Sequence, residues 1–204
     1  MAIRLHKGDL PPDYRAGGSV AIDTETLGLK PHRDRLCVVQ LSTGDGSADV
    51  VQIAKGQTSA PNLERLLADA SIKKLFHFGR FDIAVMAKAF GVMTENIYCT
   101  KIASKLVRTY TDRHGLRELC RELLAVDISK QQQSSDWGAD VLSDAQVAYA
   151  ASDVLHLHAL KAKLDVMLVR EGRDGVAQKC FDFLSTRAHL DLIGWPDNDI
   201  FAHE

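Results

Sequence analysis

Short apolar runs separated by turn-forming residues fill the first half of the chain. Residues 19–25, 36–42 and 49–53 are rich in Val and Ile, and Gly, Pro and Asp cluster between them. This pattern predicts three strands, and the short connections favour antiparallel neighbours. A fourth apolar run at residues 73–78 predicts another strand.

From residue 79 onward the apolar spacing is helical. It predicts helices over residues 80–90, 99–107, 116–124, 143–170 and 175–190, after an earlier one at about 61–70. Gly91 suits the end of the first of these, and Ser143 with Gln146 forms a capping box at the start of the longest. We therefore expect an α/β fold with a mixed sheet, a single domain with its core at about 15–190, and a tail at 194–204.

Composition narrows the class of protein. The 204 residues include 25 Lys and Arg against 27 Asp and Glu, a formal charge of −2. This balance argues against a polybasic nucleic-acid binder, although an enzyme with a local basic face stays open. The chain has no apolar run long enough to span a membrane and no apolar signal segment at its start. Its four scattered cysteines predict buried thiols in a reducing compartment, so we expect a cytoplasmic protein.

Asp23 and Glu25 are the first candidates for chemistry. They are two residues apart in a predicted strand, so their carboxylates share one face. Adjacent like charges on a strand repel unless a cation lies between them. The alternative is a solvent-exposed strand end, and the pair alone does not decide.

Two further sites in the sequence place carboxylates on helices. Asp82 falls in the first turn of a predicted helix, where it either stabilises the helix dipole or serves as a ligand at the end of a strand. Tyr149 and Asp153 are four residues apart, so they share a helix face. They form either a core Tyr–Asp hydrogen bond or part of a site.

Taken together, these four carboxylates supply oxygen ligands of the kind that Mg²⁺ and Mn²⁺ prefer, and no Cys and His set competes for zinc. Two such cations roughly 3.5–4 Å apart can activate water and stabilise the leaving oxygen in phosphodiester cleavage.

The chain resembles the ribonuclease D family of 3′→5′ exonucleases, whose sites combine four carboxylates with a catalytic Tyr. Three motifs match in order: Ala21-Ile-Asp23-Thr-Glu25-Thr-Leu-Gly28-Leu29, Phe76-His-Phe-Gly-Arg80-Phe-Asp82-Ile83 and Tyr149-Ala-Ala-Ser-Asp153-Val. Residues 130–137 resemble a segment that precedes the third motif. The similarity covers roughly residues 15–170. It implies a ribonuclease H-like fold with a five-stranded mixed sheet.

The resemblance also implies roles for individual residues. Asp23, Glu25, Asp82 and Asp153 would bind two metal ions, and Tyr149 would orient the attacking water. We expect hydrolysis from RNA 3′ ends with release of nucleoside 5′-monophosphates. Longer members append helical domains, for which we expect no room here. The candidate substrate contacts are Thr26, Leu29, His77, Arg80 and Gln133.

Three questions stay open at this point. Residues 101–130 carry seven basic and four acidic side chains, which form either a path for single-stranded nucleic acid or a solvated helical face. A DNA 3′→5′ exonuclease is the main alternative to an RNA enzyme, because the contacts to the 2′-hydroxyl cannot be located. An inactive nucleic-acid-binding module is the other alternative, but all four carboxylates and the Tyr are present.

Overall fold

The apolar runs form strands, and two strands that the sequence pattern missed complete the sheet. The structure is a computed structural model that describes residues 2–129, 131–132 and 134–203. Within these residues the sheet has six strands, not five. They are β1 Ile3–Lys7, β2 Ser19–Thr26, β3 Leu36–Ser42, β4 Ala48–Gln52, β5 Lys73–Phe76 and β6 Ile97–Cys99.

The strand order is β1-β4-β3-β2-β5-β6. The short connections give the expected antiparallel pairs β2–β3 and β3–β4, while β1–β4, β2–β5 and β5–β6 are parallel. Every residue of β3 and β4 is buried, so both faces of the sheet centre are covered. This arrangement confirms the mixed α/β fold.

Seven α-helices flank the sheet in the part of the chain that the structure describes. Gly91 ends the second of them in a left-handed conformation with φ 71°, and Ser143 and Gln146 form the predicted capping box. The helices are α1 Pro61–Ala68, α2 Gly79–Phe90, α3 Thr100–Val107, α4 Leu116–Leu119, α5 Asp144–Leu155, α6 Leu157–Arg170 and α7 Asp174–Ile193. A π-helical turn, Cys120–Leu124, continues α4.

The single long helix predicted over residues 143–170 is wrong. The helix is interrupted at His156, where φ is −103° and ψ is −6°, and a new helix begins at Leu157. This break lets α5 pack across β2, β3 and β4 while α6 packs against α3 and β5. The apolar spacing continues through the break, so the sequence pattern does not show it. No helix in the described ranges is long and apolar enough to cross a bilayer.

Candidate active site

Three carboxylates meet at the end of β2. Alternation along the strand places Asp23 and Glu25 on one face, and α5 presents Asp153 to the same place. One oxygen of each carboxylate lies within 4.8 Å of the other two. All three side chains are half-buried. The structure thus brings together residues that are up to 130 positions apart.

Burial and charge repulsion together disfavour ionisation of this carboxylate cluster. Burial, together with the charges of Asp82, Asp153 and Glu25, raises the pKa of Asp23 well above its usual range. Burial and the charges of Asp153 and Asp82 raise the pKa of Glu25 to about 8. Ionising all of these neighbouring carboxylates costs electrostatic free energy unless a cation is bound between them. A cluster of carboxylate oxygens that repel one another when ionised suits the binding of a hard divalent ion.

Asp82 lies beside the cluster rather than within it. Its Oδ1 accepts a 2.6 Å hydrogen bond from the hydroxyl of Thr24, and burial raises its pKa. The sharp junction between β5 and α2 determines its position. Phe78 adopts a left-handed φ of 71°, and a Cβ on Gly79 would lie 2.7 Å from the Cβ of Phe76.

A buried amide also contacts the site. Gln40 is fully buried on β3 directly opposite Asp23, and its Nε2 donates a 2.7 Å hydrogen bond to Asp23 Oδ2. The sequence analysis missed this residue. The available signal was a single Gln inside the apolar run of β3, and it becomes meaningful only once the strand register is known.

Tyr149 lies one helical turn before Asp153. Burial first, and then the charge of Asp153, raise the pKa of Tyr149, so its hydroxyl remains protonated at neutral pH. Trp137 is buried, and its ring centroid lies 6.0 Å from that of Tyr149. Trp137 therefore packs against the candidate catalytic ring and limits its rotation.

The candidate substrate contacts differ in how exposed their side chains are. Leu29 is 86% exposed and lines a cavity of about 270 Å³ with Phe78 and Pro196. The hydroxyl of Thr26 donates to the carbonyl of Gly28, so Thr26 shapes the turn that leads to Leu29. Among the candidate contacts that the structure describes, Leu29 has the exposure that suits direct contact with a ligand.

The side chains of His77 and Arg80 form hydrogen bonds within the protein. Nδ1 of His77 is 2.9 Å from the Thr100 hydroxyl, and burial lowers the pKa of His77 to about 3, so it offers no positive charge to phosphate. Arg80 forms a bidentate ion pair with the buried carboxylate of Asp191 and donates to the carbonyl of Pro196. Its charge is therefore balanced. Gln133 lies outside the described residues.

Two of the seven basic side chains of residues 101–130 are neutralised by ion pairs. Arg108 is fully buried and pairs with Glu122, while Arg117 pairs with Asp127. Lys101 places its ammonium 4.4 Å from the centre of the Phe78 ring. Within the described part of the chain neither Lys101 nor Lys105 forms an ion pair, and both line a cavity of about 340 Å³ with Phe78. Lys130 lies outside the described residues.

Comparisons with known proteins agree with this geometry. The profile of a 3′-5′ exonuclease family matches residues 9–169. Ribonuclease D of Gluconacetobacter diazotrophicus is 38% identical over 154 residues, which are 76% of this chain and 39% of that protein. The chain thus spans about two fifths of the length of the curated ribonuclease D proteins it matches.

Solved structures match over the whole chain. Brucella melitensis NrnC with bound Mg²⁺ is 64% identical and superposes with a TM-score of 0.96, and NrnC bound to pGG is 65% identical with a TM-score of 0.97. Each comparison covers 100% of both chains. On the family profile and these matches, the chain belongs to the 3′-5′ exonuclease family, in its ribonuclease D-like group.

Proposed function

We propose that this protein is a metal-dependent 3′→5′ exonuclease that hydrolyses short RNA from the 3′ end and releases nucleoside 5′-monophosphates. The observation that carries the proposal is the cluster of Asp23, Glu25 and Asp153, whose oxygens lie within 4.8 Å of one another. The raised pKa values of Asp23 and Glu25 support it, because a bound cation would stabilise the ionised form of both carboxylates. The solved structure of a relative that is 64% identical, Brucella melitensis NrnC, is described with bound Mg²⁺.

The carboxylates supply the metal-binding part of the mechanism. Asp23, Glu25 and Asp153, with Asp82 beside them, would hold two Mg²⁺ or Mn²⁺ ions. When bound, such ions lower the pKa of a coordinated water and stabilise the charge that develops on the phosphate. The residues fit this task because their donor atoms are all oxygen. In addition, no Lys or Arg among the described residues pairs with Asp23, Glu25 or Asp82.

Tyr149 would orient the attacking water. Its hydroxyl stays protonated at neutral pH, shares a helix face with Asp153 and belongs to a ring packed on Trp137. Such a hydroxyl can hydrogen-bond the attacking water and align it for in-line attack on the phosphorus. We assign Tyr149 this positioning of the nucleophile, with the carboxylates holding the ions.

Two kinds of observation bear on the substrate: the exposed or unpaired side chains of this chain, and the ligand of one relative. Leu29 is exposed three residues after the end of β2, where it can pack on the terminal base, and Lys101 and Lys105 lack the ion pairs that neutralise Arg108 and Arg117. A relative that is 65% identical over its full length is described bound to pGG. We therefore propose short 5′-phosphorylated RNA as the substrate class. The described cysteines are all free thiols, which supports a cytoplasmic location as part of the proposal.

The test is a time course with Mg²⁺ or Mn²⁺ on pGG, a 5′-labelled RNA heptamer and the matched DNA heptamer. We expect GMP from pGG and a stepwise 3′ ladder from RNA, both absent with Asp153→Asn. Internal cleavage products would refute the direction of attack. Faster degradation of DNA would favour the DNA exonuclease. Binding without turnover by the wild-type protein would identify an inactive module.

A further inference from the structure

Gln40 is poorly explained by the fold alone. It is fully buried, its Nε2 donates to Asp23, and its Oε1 has no hydrogen-bond partner within the described residues. An unsatisfied buried acceptor costs stability, and a leucine would fill the same apolar strand without that cost. We therefore look for the role of the Gln40 amide in its hydrogen bond to Asp23.

Thr24 has the same relationship to Asp82. It is 7% exposed, and its hydroxyl donates to Asp82 Oδ1 at 2.6 Å, which ties β2 to the first turn of α2. Asp23 and Asp82 are thus each held by an uncharged donor from the sheet. Within the described chain neither carboxylate forms an ion pair with Lys or Arg.

Uncharged donors have a specific consequence at a metal site. A Lys or Arg would fix the carboxylate but would also cancel the negative charge that attracts the ion. A neutral amide or hydroxyl fixes the rotation of the carboxylate and leaves its charge in place. Orientation and charge are therefore supplied separately in this site.

We propose that Gln40 and Thr24 are positioning residues for the metal site, and that they hold the carboxylates of Asp23 and Asp82 in the orientation that binds divalent ions. This inference rests on the proposed function. A purely structural role for Gln40 predicts that its replacement changes stability but not metal affinity. Positioning predicts a loss of metal affinity in protein that remains folded.

Gln52 provides a matched control. It is a buried glutamine on the neighbouring strand β4, and its Nε2 donates to the carbonyl of Ala139 instead of to a carboxylate. Gln52→Leu therefore removes the same side chain from the same sheet without touching the site. Thr24→Val and Thr24→Ser form a second matched pair, in which only the serine keeps the hydroxyl.

The experiment is calorimetric titration with Mn²⁺ of the full chain and these variants, each checked for a cooperative unfolding transition. We expect Gln40→Leu and Thr24→Val to bind Mn²⁺ roughly 10- to 100-fold more weakly. Thr24→Ser and Gln52→Leu should stay within about threefold of wild type. In turnover, the Mn²⁺ concentration for half-maximal rate should rise, while the KM for pGG at saturating Mn²⁺ stays unchanged.

Wild-type Mn²⁺ affinity in Gln40→Leu and Thr24→Val would overturn the inference and leave the proposed function intact. A wild-type protein that binds no Mn²⁺ would instead refute the proposed function itself. Should Gln40→Leu fail to fold, the Thr24→Val and Thr24→Ser pair decides, because Thr24→Val removes the hydroxyl and Thr24→Ser keeps it. Equal affinity in that pair would count against positioning.

Discussion

Replacing Glu25 with Gln should stabilise the metal-free protein at neutral pH. Burial and the charges of Asp153 and Asp82 raise the pKa of Glu25 from 4.5 to about 8. The folded state therefore binds a proton that the unfolded state releases. Stability from this group is complete below pH 4.5 and is lost as the pH rises towards 8.

The size of the effect follows from the pKa values. A tenfold change in proton affinity corresponds to about 1.4 kcal/mol. Between pH 4.5 and 8 the wild type should therefore lose up to about 1.4 kcal/mol per pH unit through Glu25, or about 3 kcal/mol by pH 7. Glu25→Gln has no proton to lose, so it should be more stable than wild type by about that amount at pH 7. The two proteins should converge near pH 4.5.

Urea denaturation in EDTA at pH 5, 6, 7 and 8 measures the difference. The exposed Glu95→Gln is the control and should follow wild type at every pH. Mg²⁺ should stabilise wild type much more than Glu25→Gln, because the variant has lost both a ligand and a source of repulsion. A constant difference between Glu25→Gln and wild type across the pH range, or a less stable variant at pH 8, would refute the electrostatic account.

Three other predictions concern the mechanism, the scaffold and the substrate contact. Tyr149→Phe should lower kcat on pGG by roughly 10²-fold or more with little change in KM; an unchanged kcat would remove the water-orienting role. Arg80→Ala should cost about 2 kcal/mol of unfolding free energy, because the buried carboxylate of Asp191 loses its bidentate partner and keeps only Arg187, 3.2 Å away; a thermal melt equal to wild type would contradict this. Leu29→Ala should raise the KM for pGG while stability stays within about 0.5 kcal/mol of wild type, since Leu29 is 86% exposed; an unchanged KM would exclude it from the substrate site.

The sequence pattern was sufficient wherever apolar periodicity and local signals agree. It located β2, β3 and β5 and the capping box at Ser143, because each depends on neighbouring residues. It missed β1, in which Arg4 and His6 pair with the distant Asp49, and it missed β6, which has three residues. An edge strand with polar side chains and a very short strand give no periodic signal.

The site shows the same division between local and long-range information. Alternation along β2 predicted the shared face of Asp23 and Glu25, which the structure places within a group of three carboxylates. The sequence could not show that Arg80 turns to Asp191, because that ion pair joins residues 111 positions apart. Gln40 was invisible for the same reason, since its role depends on the β2–β3 register.

The order of the carboxylates along the chain has a consequence during synthesis. Residues 23, 25 and 82 leave the ribosome well before residue 153, which completes the acidic group from α5. A nascent chain that ends anywhere before α5 lacks this last carboxylate. The carboxylate cluster therefore cannot be complete until residue 153 has been synthesised and α5 has packed against the sheet.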